Sequence, residues 1–211
     1  MFVKNHMLNK ELLTIVELDE SIESALKKMA QGNFLSLPVI NDGNLMGLIM
    51  KETIYRGYVE AGYENFQEYI TQKKVKELYN SKIHIIHENE EIENASHILG
   101  QLRIPFLAVL DSKNQFTGIL THRAIFDAFT DILGANKGSR IVVDMPDIPG
   151  QIAKLTTLIT EENINIESIV MIDLKRVEKY VRVALKIETD KLDDIINKIK
   201  AAGFIVNGFE E

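Results

Sequence analysis

The chain of 211 residues contains no cysteine. It can therefore form neither disulfides nor thiolate metal sites, which fits a reducing compartment and predicts a cytoplasmic protein. No apolar run approaches membrane-spanning length, and the first residues carry no apolar signal core, so we expect no membrane partner. Hydrophobic residues nevertheless make up 45% of the sequence, enough for more than one core.

Positive charge is also in short supply. The chain has 24 Lys and Arg against 31 Asp and Glu, a net charge of −7 and a pI near 5.3. This balance argues against broad binding to nucleic acid, but a few local cations can still hold a small anionic ligand. His84 and His87 lie close in sequence, yet residues three apart on a strand face opposite ways, so no metal site is predicted. Because no nucleophile–base pair or phosphate loop is present, we expect no enzyme.

What the sequence does contain is an internal repeat at an offset of 70 residues. The repeated positions are Ile22, Ala25 and Met29 with Ile92, Ala95 and Leu99; Leu37-Pro38-Val39 with Leu107-Ala108-Val109; and, one residue later, Gly47-Leu48-Ile49 with Gly118-Ile119-Leu120. Self-similarity at a fixed period indicates one structural unit used twice, each copy burying its apolar face against the other. A cleft between two such copies is a natural place for a ligand.

Each copy has the pattern helix, strand, turn, strand, helix. In the first copy we predict a short strand over 12–16, a helix with Ser21 as N-cap that ends at Gly32, and a hairpin of strands 35–40 and 45–50, followed by a helix from near Lys51. The predicted domains are 7–58 and 75–130, joined by a linker at 59–74. A second linker, 131–140, leads to a third domain at 141–211.

The third domain has a different pattern. Strands are predicted at 141–145, 166–173 and 180–187, a last strand begins at 204–206, and helices follow Pro149-Gly150 and span Ile195 to Ile199. The order is β-α-β-β-α-β, the split arrangement of ferredoxin-like domains. The whole chain is therefore expected to have a mixed α+β and α/β fold.

The doubled unit resembles a tandem pair of cystathionine-β-synthase (CBS) domains, the Bateman module. Leu37-Pro38-Val39, the Asp-Gly hairpin and Gly118-Ile119-Leu120-Thr121 carry this resemblance. The last third resembles an ACT domain, through Asp147-Ile148-Pro149-Gly150-Gln151-Ile152 and the following Asn163-Ile164-Asn165-Ile166. The order CBS–CBS–ACT is similar to that of the acetoin-utilisation CBS–ACT proteins and of CBS-containing receptors for cyclic di-AMP.

The resemblance implies two related nucleotide clefts, of which the first keeps more of its polar groups. Its expected contacts are Lys10, Leu12, Leu13, Thr14, Phe34, Leu35, Ser36, Thr121, His122 and Arg123. The family aspartate that accepts ribose hydroxyls is replaced by Ala124, a loss that matters less for a cyclic dinucleotide, whose 3′-oxygens are tied into phosphodiesters. Arg123 is expected to grip a phosphate. The structural alternatives are that Thr121 only caps the helix that follows it and that Phe34 is only a core residue.

The second cleft combines 82–86 and 104–106 with 50–53. Met50 and Thr53 stand where the family has Thr and Asp, and the bulky Phe106 stands where the first copy has Ser36. We therefore expect this cleft to be degenerate and filled.

The function implied is that of a non-enzymatic sensor with no cofactor, whose ligand is cyclic di-AMP or, alternatively, AMP, ADP or ATP. A homodimer through the CBS and ACT domains and an unidentified regulated protein are the expected partners. A further alternative is an ACT-centred amino-acid sensor, or a regulatory subunit of acetoin-utilisation type. If the ACT domain senses an amino acid, Asp147, Pro149 and Gly150 form the candidate ligand-binding turn. The alternative is that this turn simply connects strand and helix.

Overall fold

The computed structural model describes residues 1–102, 104–135, 137–174 and 179–210 and divides into two compact units, Met1–Phe126 and Asp127–Glu211. The expected mixed fold, with two similar halves followed by a βαββαβ unit, is confirmed. Within the described residues, no helix has both the length and the apolar character needed to span a membrane.

The elements follow the predicted order closely. The strands are β1 (Leu8–Asn9), β2 (Val16–Glu17), β3 (Ser36–Asn41), β4 (Asn44–Met50), β5 (Ile85–His87), β6 (Phe106–Leu110), β7 (Phe116–Thr121), β8 (Ser139–Pro146), β9 (Ile166–Asp173), β10 (Tyr180–Ile187) and β11 (Ile205–Glu210). The helices are α1 (Ile22–Gln31), α2 (Lys51–Ala61), α3 (Phe66–Gln72), α4 (Val75–Leu78), α5 (Ile92–Gln101), α6 (His122–Ile132), α7 (Gln151–Thr160) and α8 (Leu192–Ala201). Short 3₁₀ helices precede and follow β1 at Val3–Asn5 and Lys10–Leu12.

The helix and hairpin predicted for the first copy are confirmed. The Ser21 hydroxyl accepts a hydrogen bond from the Ser24 backbone N–H at 3.1 Å, which caps α1. Asp42 and Gly43 both have positive φ, 49° and 78°, as a two-residue type I′ turn between β3 and β4 requires.

The two copies bury their sheets against each other, as the repeat predicts. One apolar cluster joins Ile40 and Leu48 of the first sheet to Phe106, Phe116 and Ile119 of the second. This shared core fixes the two halves of the first unit as one body and brings equivalent ends of both sheets together.

The strand predicted at 12–16 is wrong over most of its length. Residues 10–12 form a 3₁₀ helix, and only Val16 enters a strand, β2, which pairs in parallel with β3. The physical reason is a crossover: β1 pairs with β7 in the second sheet, so the chain must pass from one sheet to the other before Val16. A straight strand cannot make that passage.

A segment of the second copy likewise pairs with the sheet of the first copy. Leu48 of β4 bonds to Asn80, which precedes the second copy's own strands. Gly47 and Gly118 allow these crossings, because a Cβ would lie 2.2 Å from the Asn80 carbonyl oxygen at the first and 2.2 Å from that of Leu8 at the second. The repeated glycines therefore mark where each half receives a segment from the other.

The segment 59–74 is more than a connection. It carries α3, and Tyr69 and Ile70 of this helix are buried in the core of the first half with Ile22 and Met29 of α1. The Tyr69 hydroxyl donates a hydrogen bond to the Ile54 carbonyl oxygen at 3.3 Å. The aromatic residues of this segment thus complete the first core.

The second unit contains one antiparallel sheet in the order β11-β8-β10-β9. Alternate residues of β8 and β10 are buried with the apolar sides of α7 and α8, so both helices cover one face. The other face is covered by neither helix, and β9 and β11 form the edges.

Candidate functional site

A cavity of about 380 Å³ lies between the two halves of the first unit. It opens where β3 begins, where β4 ends and where α2 and α6 begin. The lining residues come from both copies: Leu35, Ser36, Met50, Lys51 and Glu52 from the first, and Leu102, Ile104, Pro105 and His122 from the second. Its volume falls in the range of about 300–1,000 Å³ that small-molecule sites occupy.

The lining has approximate two-fold character. Lys51 is the first residue of α2 and His122 is the first residue of α6, its equivalent in the second copy. Leu35 and Pro105 are a second equivalent pair. Two 11-residue helices therefore begin at the same cavity, and the N-terminus of a helix carries a partial positive charge.

Of the residues predicted for the first cleft, the structure brings Leu35, Ser36 and His122 to this cavity. Ser36 is held opposite Met50 in the β3–β4 pairing, and the Lys51 backbone N–H donates to the Leu35 carbonyl oxygen at 2.9 Å. The end of the first hairpin and the start of α2 are thereby fixed to each other.

Several lining residues were expected elsewhere. Met50, Lys51, Glu52, Ile104 and Pro105 were placed in the second cleft, and Leu102 in neither. The two predicted clefts share one cavity instead. The repeat carried a signal for Lys51, because it aligns with His122, but the two clefts were considered separately.

Thr121 and Phe106 face each other in the β6–β7 pairing. The Thr121 hydroxyl accepts the Ala124 backbone N–H at 3.1 Å and so caps α6, the structural role anticipated as its alternative. Phe106 is only 4% exposed and packs in the shared core, with Met50 against the same cluster. Phe106 thus fills part of the space where the second cleft was expected, whereas Met50, Ile104 and Pro105 of that cleft line the open cavity.

The structure does not bring the other predicted contacts to the lining of the cavity. Lys10 and Leu12 belong to the 3₁₀ helix beside β7, and Leu12 is 77% exposed. Leu13 packs against the shared core, and Thr14 is half-buried. Arg123, exposed on α6, directly follows the lining residue His122.

Phe34 takes a position of its own. A Cβ on Gly32 would lie 2.0 Å from a Phe34 ring carbon, so the ring lies over the glycine that ends α1. This contact is the packing role anticipated as the alternative to stacking on a base.

In the second unit, Asp147, Pro149 and Gly150 form an exposed turn from β8 into α7. Gly150 has φ of +90° and accepts the Lys154 backbone N–H on its carbonyl oxygen at 2.9 Å, which starts the helix. The Asp147 N–H donates to the Lys179 carbonyl oxygen. The turn is therefore the strand-to-helix connection described as its simpler interpretation.

Comparison with protein families agrees with this architecture. The CBS domain model matches residues 7–60 and 75–131, more than half of the chain, and the ACT domain model matches residues 139–204. The chain belongs to the CBS-domain family, as a tandem CBS pair followed by an ACT domain.

Individual relatives match only in part. A homoserine O-acetyltransferase from Methanosarcina acetivorans is 34% identical over 124 residues, which are 58% of this chain and 21% of that protein. The chain thus spans about a fifth of that relative's length.

Solved structures share the fold of the CBS pair. CBSX2 of Arabidopsis thaliana, solved in complex with AMP, is 23% identical with a TM-score of 0.53, covering 62% of this chain and 97% of CBSX2. CbpB, solved in complex with c-di-AMP, is 23% identical with a TM-score of 0.54, covering 64% of this chain and 89% of CbpB.

Proposed function

We propose that this protein is a non-enzymatic regulator that binds one adenine nucleotide in the cavity between its CBS halves, and that the nucleotide is cyclic di-AMP. The observation that carries the proposal is the cavity itself, with Lys51 and His122 at the starts of two helices that meet there. Binding stabilises one arrangement of the CBS pair, and a partner protein responds to that arrangement.

The charge of the cavity suits phosphate. Helix N-termini present backbone N–H groups to anions, and charge-assisted hydrogen bonds are the stronger kind. We assign Lys51 and a ring N–H of His122 to the phosphates, with the Arg123 guanidinium next to His122 as a further cation. Glu52 also lines the cavity, but its carboxylate lies 3.5 Å from Arg56 Nη1, which offsets its charge.

The remaining walls suit adenine. Leu35, Leu102, Ile104 and Pro105 offer apolar surface for a base, and the Ser36 hydroxyl offers one hydrogen-bonding group. Cyclic di-AMP is itself two-fold symmetric, which matches a cavity in which Lys51 and His122 occupy equivalent places. CbpB, which shares the fold, was solved with this nucleotide.

AMP, ADP or ATP is the second candidate. It is favoured by the fold likeness to CBSX2, solved with AMP, and by a volume that accommodates a mononucleotide. Against it stands Ala124, which offers no carboxylate to a free ribose diol. Cyclic di-AMP lacks that requirement, so we place it first.

A calorimetric panel on the full chain separates these candidates. We expect cyclic di-AMP to bind at one site per chain, more tightly than AMP, ADP or ATP. Arg123→Ala is expected to weaken binding by about tenfold or more, since a hydrogen bond to a charged group contributes about 1.5–3 kcal/mol. Lys27→Gln, at an exposed position on α1, is the matched control.

The outcomes discriminate. If AMP or ATP binds tightly and cyclic di-AMP does not bind, the site is a mononucleotide site and the proposal is wrong. Equal affinity in the Arg123→Ala and Lys27→Gln variants would remove Arg123 from the site. Turnover of any nucleotide, lost when a cavity residue is changed, would contradict the non-enzymatic proposal.

We further propose a cytoplasmic homodimer. Helices α2 and α6 expose the large apolar side chains Tyr55, Val59 and Phe126, which supply a surface for a second copy. Amino-acid sensing at the Asp147–Gly150 turn remains an alternative, and a thermal-shift panel of amino acids tests it.

A further inference from the structure

A second cavity, of about 290 Å³, lies on the face of the C-terminal sheet that α7 and α8 leave uncovered. Strand register explains its character. One row across the four strands is polar, and the adjoining row is apolar. The polar row consists of Glu210, Arg140, Lys186 and Ser168, and the next row of Gly208, Val142, Ala184 and Val170.

Residues 133–135, which follow α6, cover one side of this groove. The Ser168 hydroxyl donates to the Leu133 carbonyl oxygen at 3.1 Å, and Lys186 Nζ donates to the Ala135 carbonyl oxygen at 3.1 Å. Gly134 is buried between them with φ of +60°, and a Cβ there would lie 3.0 Å from the Ser168 hydroxyl oxygen. The segment 133–135 is therefore fixed to the sheet, and it turns an open face into a groove.

The charged residues that line the groove indicate the charge of the ligand that it would bind. Arg140 and Lys186 outnumber the single carboxylate of Glu210, so the lining carries one net positive charge. Val170 and Ala184 supply an apolar floor in the row beside the cations, and Ile172 extends it by one row. A monoanion with a short aliphatic chain matches both features, because its head meets the cations while its tail covers the floor.

We propose that this groove is a binding site for a short aliphatic monocarboxylate, held by Arg140 with the support of Lys186. The site lies wholly within the second unit, and its lining shares no residue with that of the nucleotide cavity. A flat sheet from a second copy does not fit here, since the 133–135 segment rises above the face at Ser168 and Lys186.

NMR titration of the isotopically labelled full chain with 3-methylbutanoate tests the proposal. We expect saturable shifts at Val170, Ile172 and Ala184. Arg140→Gln is expected to weaken the affinity by about tenfold or more, because a charge-assisted hydrogen bond is lost. Lys200→Gln, an exposed position on α8, makes the same charge change elsewhere in the unit and is expected to leave the affinity unchanged.

Two comparison ligands test the charge argument. 3-Methylbutan-1-ol has the same tail without the charge, and leucine adds an ammonium group; both are expected to bind at least about tenfold more weakly. Equal binding of the alcohol would show that the cations play no part, and equal or tighter binding of leucine would assign the groove to a zwitterion. Either result overturns the proposal. No saturable shifts with 3-methylbutanoate, or equal loss in both variants, would overturn it as well.

Discussion

The exchange of segments between the two CBS halves makes a sharp prediction at Gly118. Substitution by alanine places a Cβ 2.2 Å from the carbonyl oxygen of Leu8 and 3.0 Å from its carbonyl carbon. Both obstructing atoms are backbone of β1, so no side-chain rotation relieves the contact. Overpacking typically costs about 1–3 kcal/mol, and we expect Gly118→Ala to fall at about 3 kcal/mol because β1 must shift or detach.

Gly100 provides the control, since it lies in the same unit, on α5. A Cβ there has no neighbour within 4 Å, and alanine favours the helix over glycine. Gly100→Ala is therefore expected to stabilise the protein, by about 0.5–1 kcal/mol. The same substitution thus has opposite signs at two glycines.

Urea unfolding followed by far-ultraviolet circular dichroism measures both effects on the transition of the first unit. The test lies in the opposite signs of the two changes in unfolding free energy. Gly47→Ala, whose Cβ would lie 2.2 Å from the Asn80 carbonyl oxygen, should lower the unfolding free energy as Gly118→Ala does. Wild-type stability in Gly118→Ala would refute the crossing of β1 over Gly118.

Three further outcomes follow from the same structure. A hydrogen bond from Arg182 holds the pKa of Asp144 below its usual value, so this pair contributes stability above about pH 4 that is lost as pH falls through the lowered pKa. Asp144→Asn should therefore flatten the acid side of the plot of unfolding free energy against pH, and parallel plots for the variant and the wild type would contradict this. Phe106→Ala should cost about 3–5 kcal/mol in urea unfolding, and a loss below about 1 kcal/mol would show that Phe106 does not fill the core. Val59→Glu should halve the mass seen by light scattering while the monomer stays folded; an unchanged mass would exclude Val59 from the dimer interface.

The helices and hairpins could be predicted because local signals and burial agree. Ser21 caps α1, Asp42-Gly43 makes the turn, and the apolar stripe of Ile22, Ala25 and Met29 is fully buried. At 12–16 the apolar composition was misleading: Leu12 is largely exposed, because the chain there crosses between two sheets. Pairing partners distant in sequence decide such a segment, and hydropathy alone does not reveal them.

The site was predictable in part. Ser36 and His122 were expected from the CBS resemblance, and both line the cavity. Lys51 was placed in a separate cleft, because sequence does not show that the starts of α2 and α6 meet at one cavity. The structural role of Phe34 was likewise open, since only the fold places its ring over Gly32.

The groove on the C-terminal sheet gave no sequence signal. Arg140 and Lys186 are 46 positions apart and become neighbours only through the register of β8 and β10. Cross-strand rows of this kind depend on pairing that the alternation of apolar residues leaves open.

The most direct test of the central claim is a crystal structure of the full chain with cyclic di-AMP. We predict one nucleotide per chain in the cavity between the CBS halves, with its phosphates at Lys51 and His122 and a base against Ile104 and Pro105. A nucleotide bound outside this cavity, or a cavity left empty at saturating ligand, would contradict the account.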